Sequence, residues 1–123
     1  MICLDANILI EVILGRKKAT ACRELIQRTT DDIAITILSL DLVMYYAEKN
    51  KLSLAPIEQF LRTFIWLAIV ESDVDKAFKR YTDDDFEDAL QISCALRESC
   101  TKFVTLDSAL AKKYAKDISV TRL

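Results

Sequence analysis

The chain contains no histidine. That absence removes Ser-His and Cys-His nucleophilic catalysis, so any acid–base or metal chemistry must run on carboxylates. Glycine and proline occur once each, which excludes long flexible linkers. The four cysteines, Cys3, Cys22, Cys94 and Cys100, include no C-x-x-C pair. Their spacing does not support a structural zinc site, and free, mostly buried thiols in a reducing cytoplasm are expected. No apolar run is long enough to span a bilayer. No basic stretch precedes an apolar segment at the start, so no signal peptide is expected. The net charge is −2, from 17 basic and 19 acidic residues. That is not the basic footprint usual for nucleic-acid binding, although Arg16-Lys17-Lys18 and Lys112-Lys113 form local patches.

What is present is the composition of one globular domain spanning residues 1–123. The hydrophobic fraction is 52 % and the charged fraction 29 %, enough apolar material for a core. Strand and helix signals alternate. The run Met1-Ile2-Cys3-Leu4 reads as a buried strand, followed by a short helix that Gly15 stops. A helix is expected over 18–28, a strand over 33–36, and a helix capped by Thr36 or Ser39 that runs to about Asn50. Pro56 suits the start of a helix over 55–66, with a strand at 67–70. The apolar run from Phe60 to Val70 is continuous, so that boundary is poorly marked. Asp73 is placed to cap a helix through Tyr81, and the acidic Thr82-Asp83-Asp84-Asp85 segment leads into a helix over 85–99. A strand at 103–106, a helix at 108–115 and a strand at 118–121 complete the pattern. This alternation predicts an α/β fold of three layers, with a mainly parallel sheet between helices.

In parallel sheets, ligands bind outside the carboxyl ends of the strands. Asp5 follows the first strand and Asp107 follows Lys102-Phe103-Val104-Thr105-Leu106, so both belong at that edge. Asp41, in the first turn after the second strand, and Asp88, early in the 85–99 helix, are candidates for the same pocket. At 100° per residue, Phe86, Ala89, Ile92, Ser93, Leu96 and Cys100 form that helix's buried stripe. Asp88 falls at the stripe's edge and Asp85 inside it, whereas Glu87, Gln91 and Glu98 fall on a face expected to be solvated. Clustered carboxylates repel one another and need counter-charge. An oxygen-rich, histidine-free site suits Mg²⁺ or Mn²⁺. Each acid also has a plainer reading. Asp41, Asp73, Asp85 and Asp88 sit where helix caps and the helix dipole favour negative charge. Asp5 or Asp107 can cap the helix that follows it, and Asn7 and Thr105 can be turn or cap residues. Tyr45, Tyr46, Phe60, Phe64 and Trp66 are expected in the core or in a dimer contact rather than as a base-stacking platform.

Leu4-Asp5-Ala6-Asn7-Ile8-Leu9, Asp85-Phe86-Glu87-Asp88-Ala89-Leu90 and Val104-Thr105-Leu106-Asp107 together resemble the PIN domain, nearest to bacterial PIN proteins related to VapC-type toxin ribonucleases. The resemblance covers the whole chain. It implies a five-stranded parallel sheet flanked by helices and a Mg²⁺- or Mn²⁺-dependent endoribonuclease site. It assigns metal binding to Asp5, Asp88 and Asp107, with Asp85 as an extra acid. It gives Asn7 and Thr105 the role of orienting those acids. The family's second acid is usually Glu, at a place that falls on Leu42 here. Asp41, one residue earlier, is the expected substitute. A slip of one residue turns a helical side chain by 100°, and Glu48 is the other candidate. Further expectations are RNA phosphates held by the metal and by Arg16, Lys17 or Lys18, a homodimer, an antitoxin partner and a cytoplasmic location. Two rival readings stay open. One is a phospho-acceptor domain using Asp5, which Asn7 disfavours, since dehalogenase-like phosphatases want Asp there. The other is a catalytically inert PIN-like module with an incomplete metal site.

Overall fold

Each strand of this protein is three or four residues long, so its side chains are shared between two layers of helices. The structure is a computed structural model that describes residues 1–80 and 85–123. The elements in order are β1 (Ile2–Leu4), α1 (Ala6–Ile13), α2 (Ala19–Arg28), β2 (Ile33–Thr36), α3 (Ile37–Lys49), α4 (Leu54–Leu61), β3 (Ile65–Leu67), α5 (Glu71–Arg80), α6 (Phe86–Arg97), β4 (Lys102–Thr105), α7 (Ser108–Lys113) and β5 (Ser119–Arg122). All strand pairs are parallel, in the spatial order β3-β2-β1-β4-β5. No helix among the described residues is long and apolar enough to cross a membrane.

The core follows the two-residue period of a strand. Ile2, Leu4, Ile35 and Val104 point to one face, where they pack with Ile8, Leu9, Val43, Ile57 and Leu61 from α1, α3 and α4. Cys3, Ala34 and Phe103 point to the other, where they meet Ala77, Ile92, Ala95 and Leu110 from α5, α6 and α7. Because both faces of the sheet are covered at its centre, β1 reads as an unbroken apolar run rather than as an alternating one. All four cysteines are buried and free.

The expected α4–β3 boundary is corrected. Helix α4 ends at Leu61, and the strand runs over Ile65–Leu67 rather than 67–70. Apolar periodicity cannot divide a continuous apolar run. Register does: Ala34, Ile35 and Thr36 pair with Ile65, Trp66 and Leu67, and the Trp66 indole N–H donates to the Leu61 carbonyl across the turn at 2.9 Å. Asp73 is not the cap residue of α5. It lies in the first helical turn, and its carboxylate accepts the N–H of Val70 at 2.9 Å, the backward half of a capping box. The expected helix end at Tyr81 and the Thr82-Asp83-Asp84 stretch lie outside the described residues.

Three helices end in the same hydrogen-bonded turn, with the residue after the cap in the left-handed region. After α1 that residue is Gly15 at φ +62°, with Gly15 N–H to Val12 O at 3.2 Å and Arg16 N–H to Glu11 O at 3.0 Å. After α3 and α6 the same place is held by Lys51 at φ 54° and Ser99 at φ 60°, where a side chain is strained. Lys51→Gly is therefore expected to stabilise the fold by about 0.5–1 kcal/mol. Urea denaturation would measure it, and a loss of stability would show that the Lys51 side chain contributes more than its backbone costs.

Candidate active site

Running from β1, the sheet grows one way to β2 and β3, and the other way to β4 and β5. The order therefore reverses between β1 and β4, and a crevice opens at their carboxyl ends. Asp5 leaves β1 at this point, its N–H held by the Val104 carbonyl at 2.9 Å. Its carboxylate is 5 % exposed and makes no side-chain capping bond to α1. Instead Oδ2 accepts the Thr105 hydroxyl at 2.7 Å, and Oδ1 accepts the Gln91 amide at 3.4 Å.

Thr105 and Asn7 lock this corner. The Thr105 oxygen, which donates to Asp5, accepts from Asn7 Nδ2 at 3.2 Å and from the Asp107 N–H at 3.0 Å. Asn7 Oδ1 accepts the Leu106 N–H at 3.2 Å. The start of α1 is thereby tied to the end of β4. Asp107 combines two tasks that sequence reading treats as alternatives. Its Oδ1 caps α7 through Ala109 N–H at 2.8 Å and Leu110 N–H at 3.2 Å, and the residue also lines the groove.

That groove, about 230 Å³, is walled by Asp5, Asn7, Asp85, Glu87, Asp88 and Asp107, with Leu42 and Tyr46 from α3 on its far side. Asp85, Asp88 and Asp107 also line an adjoining hollow of about 650 Å³ with Lys112 and Lys113. Asp85 is exposed and caps α6 through the Glu87 N–H at 3.0 Å, so it does not lie in the buried stripe. Asp41 is exposed and absent from the groove wall, which Leu42 occupies instead. Glu48 is exposed as well. Arg16, Lys17 and Lys18 are exposed on the turn after α1, with the Arg16 guanidinium 5.9 Å from the centre of the Tyr46 ring.

Two residues expected on a solvated face belong to this site. Gln91 is fully buried. Its amide nitrogen reaches Asp5, and its carbonyl oxygen accepts the Ser39 hydroxyl at 2.7 Å. The Ser39 N–H in turn donates to Thr36 Oγ1 at 3.1 Å. This chain of contacts runs from β2 through α3 and α6 to Asp5. Glu87, half-buried, lies on the groove wall beside it. The D-F-E-D-A-L-Q stretch carried a usable signal: Glu87 and Gln91 are four apart and share a helix side.

The acids press on one another. Burial pushes the Asp88 carboxyl up to about 7, helped by the negative charges of Asp85, Asp5, Asp107 and Glu87. Burial likewise raises Glu87, with Asp85 and Asp5 adding to it. Burial also raises Asp5, opposed by hydrogen bonds from Thr105 and Gln91 and by the nearby backbone N–H groups of Ala6 and Asn7. Between the ordinary carboxylate range and about pH 7, the folded state therefore holds a proton on Asp88 that the unfolded chain has released. This contribution to stability is lost as pH rises through that window. Asp88→Asn is accordingly expected to melt a few degrees above the parent at pH 8 without metal, with the difference shrinking towards pH 5. Scanning calorimetry at both pH values checks this, and a gap of the opposite sign would show that Asp88 is not under repulsion.

The donor set is chemically right for a hard divalent cation: oxygens only, mutually repelling and facing a crevice. Among the described residues no three Asp, Glu or Cys side chains converge closely enough to hold an ion as they stand. Mg²⁺ keeps several waters and needs only one or two direct carboxylates, so the residues fit such an ion without a complete protein cage.

A family model described as the PIN domain matches residues 2–116. Comparison with curated proteins finds no match. Solved structures share the fold. A toxin–antitoxin complex from Klebsiella pneumoniae matches with TM-score 0.78 at 20 % identity, covering 98 % of this chain and 96 % of that one. VapC20 of Mycobacterium tuberculosis, a toxin that cleaves the sarcin–ricin loop, matches with TM-score 0.79 at 10 % identity over 100 % of both chains. The FitAcB structure from Neisseria gonorrhoeae matches with TM-score 0.74 at 17 % identity, over 99 % and 97 % of the two chains.

Proposed function

The chain belongs to the PIN domain family, and we propose that it is a metal-dependent endoribonuclease, the toxin of a toxin–antitoxin pair. The observation that carries this reading is the groove at the reversal point of the sheet. There Asp5 after β1, Glu87 and Asp88 on α6, and Asp107 after β4 line one cavity; burial raises Asp5, and burial with repulsion from neighbouring acids raises Glu87 and Asp88. Asp5, Asp88 and Asp107, with Glu87 or Asp85, would hold Mg²⁺ or Mn²⁺. Such an ion supplies neutralising charge and Lewis acidity towards a phosphodiester. Thr105, Asn7 and Gln91 keep Asp5 oriented. A carboxylate of the group accepts the proton of the attacking water. Arg16, Lys17 and Lys18 on one side, and Lys112 on the other, offer positive charge to the flanking phosphates.

The toxin reading draws support from the toxin–antitoxin complexes that share the fold. An antitoxin segment would cover the acidic groove. A homodimer is supported by Leu54, Ile65 and Trp66, large apolar side chains left 48 %, 43 % and 39 % exposed at the α4–β3 edge. The buried, unpaired cysteines suit a cytoplasmic location. The second reading, an inert PIN-like module, is favoured by one observation: Leu42 stands on the groove wall while Asp41 does not.

Cleavage of unpaired and structured RNA, with Mg²⁺ or Mn²⁺ and with chelator, tests the proposal. Calorimetric titration with Mn²⁺ separates the two readings, since the inert module binds none. No metal-stimulated cleavage, together with no Mn²⁺ binding, would overturn the nuclease reading.

A further inference from the structure

We infer that Glu87 is the fourth carboxylate of the metal site, supplied from α6 because α3 brings none, and that Gln91 is the positioning residue that holds it beside Asp5. The inference rests on reading the groove as a divalent-metal site, and it names the acid that joins Asp5, Asp88 and Asp107. On the α3 side the groove wall is Leu42 and Tyr46. Asp41 and Glu48, the acids of that helix nearest in sequence, are exposed and absent from the wall. Two further acids remain, both near the start of α6. Asp85 is exposed, and its Oδ1 is engaged in capping the helix. Glu87 is half-buried, and among the described residues the hydrogen-bond partner of its carboxylate is Gln91, at 3.5 Å.

Gln91 ties Glu87 to the best-held acid of the groove. Its amide nitrogen carries two hydrogens. One points to Asp5 Oδ1 at 3.4 Å and the other to Glu87 Oε1 at 3.5 Å. Turned over, the amide would set its oxygen against both anions, so the acids themselves favour the orientation observed. From behind, the Ser39 hydroxyl donates to the amide oxygen at 2.7 Å, and the Thr36 hydroxyl donates to Ser39 at 3.3 Å. Gln91 is fully buried, a place that an apolar side chain of similar volume fills at little cost to the fold. An amide is needed there for what it faces: two carboxylates from different elements, held side by side without a cation between them. Glutamate also has one more rotatable bond than aspartate, so Glu87 can follow an ion that Asp5 cannot move to meet. The plainer role for Glu87 is that of an acid in the first turn of α6, where the helix dipole favours negative charge. That role gives it no dependence on Gln91 and no effect on metal binding.

The test is calorimetric titration with Mn²⁺ alone, without RNA. Glu87→Gln is expected to weaken Mn²⁺ binding about tenfold or more, because affinity at such sites follows the number of charged ligands. Asp85→Asn, which keeps the cap, is expected to stay within about twofold of the parent. Gln91→Met is expected to weaken binding about tenfold, and by clearly less when Glu87→Gln is already present, since the two residues act as a unit. Parental Mn²⁺ affinity in Glu87→Gln, with a lower Tm, would overturn the inference and leave Glu87 as a helix-dipole acid. A loss in Asp85→Asn that exceeds the loss in Glu87→Gln would overturn it in favour of Asp85. Equal losses from Gln91→Met in both backgrounds would remove Gln91 from the positioning of Glu87. Glu87→Gln is isosteric and lies on the groove wall, so it carries the test by itself if Gln91→Met does not fold. The nuclease reading stands or falls separately. A protein that cleaves RNA with Mn²⁺ and binds the ion equally well without Glu87 keeps the nuclease and sinks this inference. Mn²⁺ binding that requires Glu87, in a protein that cleaves nothing, does the reverse.

Discussion

Asp5→Asn is expected to lower metal-stimulated RNA cleavage by a factor on the order of 100 or more, while the metal-free protein melts no lower than the parent. Asparagine matches aspartate in shape, so no cavity forms. Its amide oxygen can still accept the Thr105 hydroxyl, which reaches Asp5 at 2.7 Å. The Gln91 amide, at 3.4 Å, then meets an N–H₂ group. A flip of Gln91 eases this only in part, since the Ser39 hydroxyl, which donates to its oxygen at 2.7 Å, must then turn to accept an N–H. That conflict is offset by removal of a buried charge that also raises Asp88 and Glu87. Function suffers because the site loses a charged oxygen donor from its most tightly oriented acid. Single-turnover cleavage with Mn²⁺ and with chelator measures the activity, and the rise in Tm on adding Mn²⁺ measures binding. Cleavage by Asp5→Asn at the parental rate would place the activity elsewhere.

Arg97→Ala is expected to destabilise the fold by about 3 kcal/mol or more, lowering Tm by roughly 10 °C. Asp73 is fully buried, and Arg97 grips it twice, Nε to Oδ1 at 2.8 Å and Nη2 to Oδ2 at 3.2 Å. The same guanidinium donates to the Ala68 carbonyl at 2.7 Å and to Glu98 at 2.6 Å. The end of α6 is thus pinned to the first turn of α5 and to the segment after β3. Without Arg97, the Asp73 charge keeps, among the described residues, the Val70 N–H, and most of the cost of a buried charge is then uncompensated. The Glu58–Arg62 pair is a useful contrast. It is as short, at 2.7 Å, but 61 % exposed on both sides, and Glu58→Gln is expected to change stability by less than about 0.5 kcal/mol. Urea denaturation of both variants checks the contrast. Equal effects would mean that burial does not set the strength of the Asp73 pair.

Much of this architecture is legible because it repeats locally. Alternation of short apolar runs with helical periods foretold each strand and helix, and α4–β3 missed only where one apolar run served both. Acids directly after β1 and β4 could be placed from sequence, since a parallel sheet presents all its carboxyl ends at one edge. Gln91 could not. A helical wheel measures a residue against its own helix, and a glutamine opposite the apolar stripe reads as wet. Its burial depends on Ser39, 52 residues earlier, and Asp5, 86 residues earlier. The same limit applies to Asp41 and Leu42. Neighbours on one helix turn differ by 100°, and which of them faces the groove is set by how α3 packs on α1.

By itself, the sequence determined the layer order of strand and helix, the absence of histidine chemistry, and the presence of Asp5 and Asp107 at one edge of the sheet. These are properties of chain order and residue type. Only the tertiary structure decided that Glu87 and Gln91 turn inward, that Asp41 stays in solvent, and that Tyr46 and Arg16 meet at the rim. Those outcomes depend on distances between residues far apart in the chain, which no local period encodes.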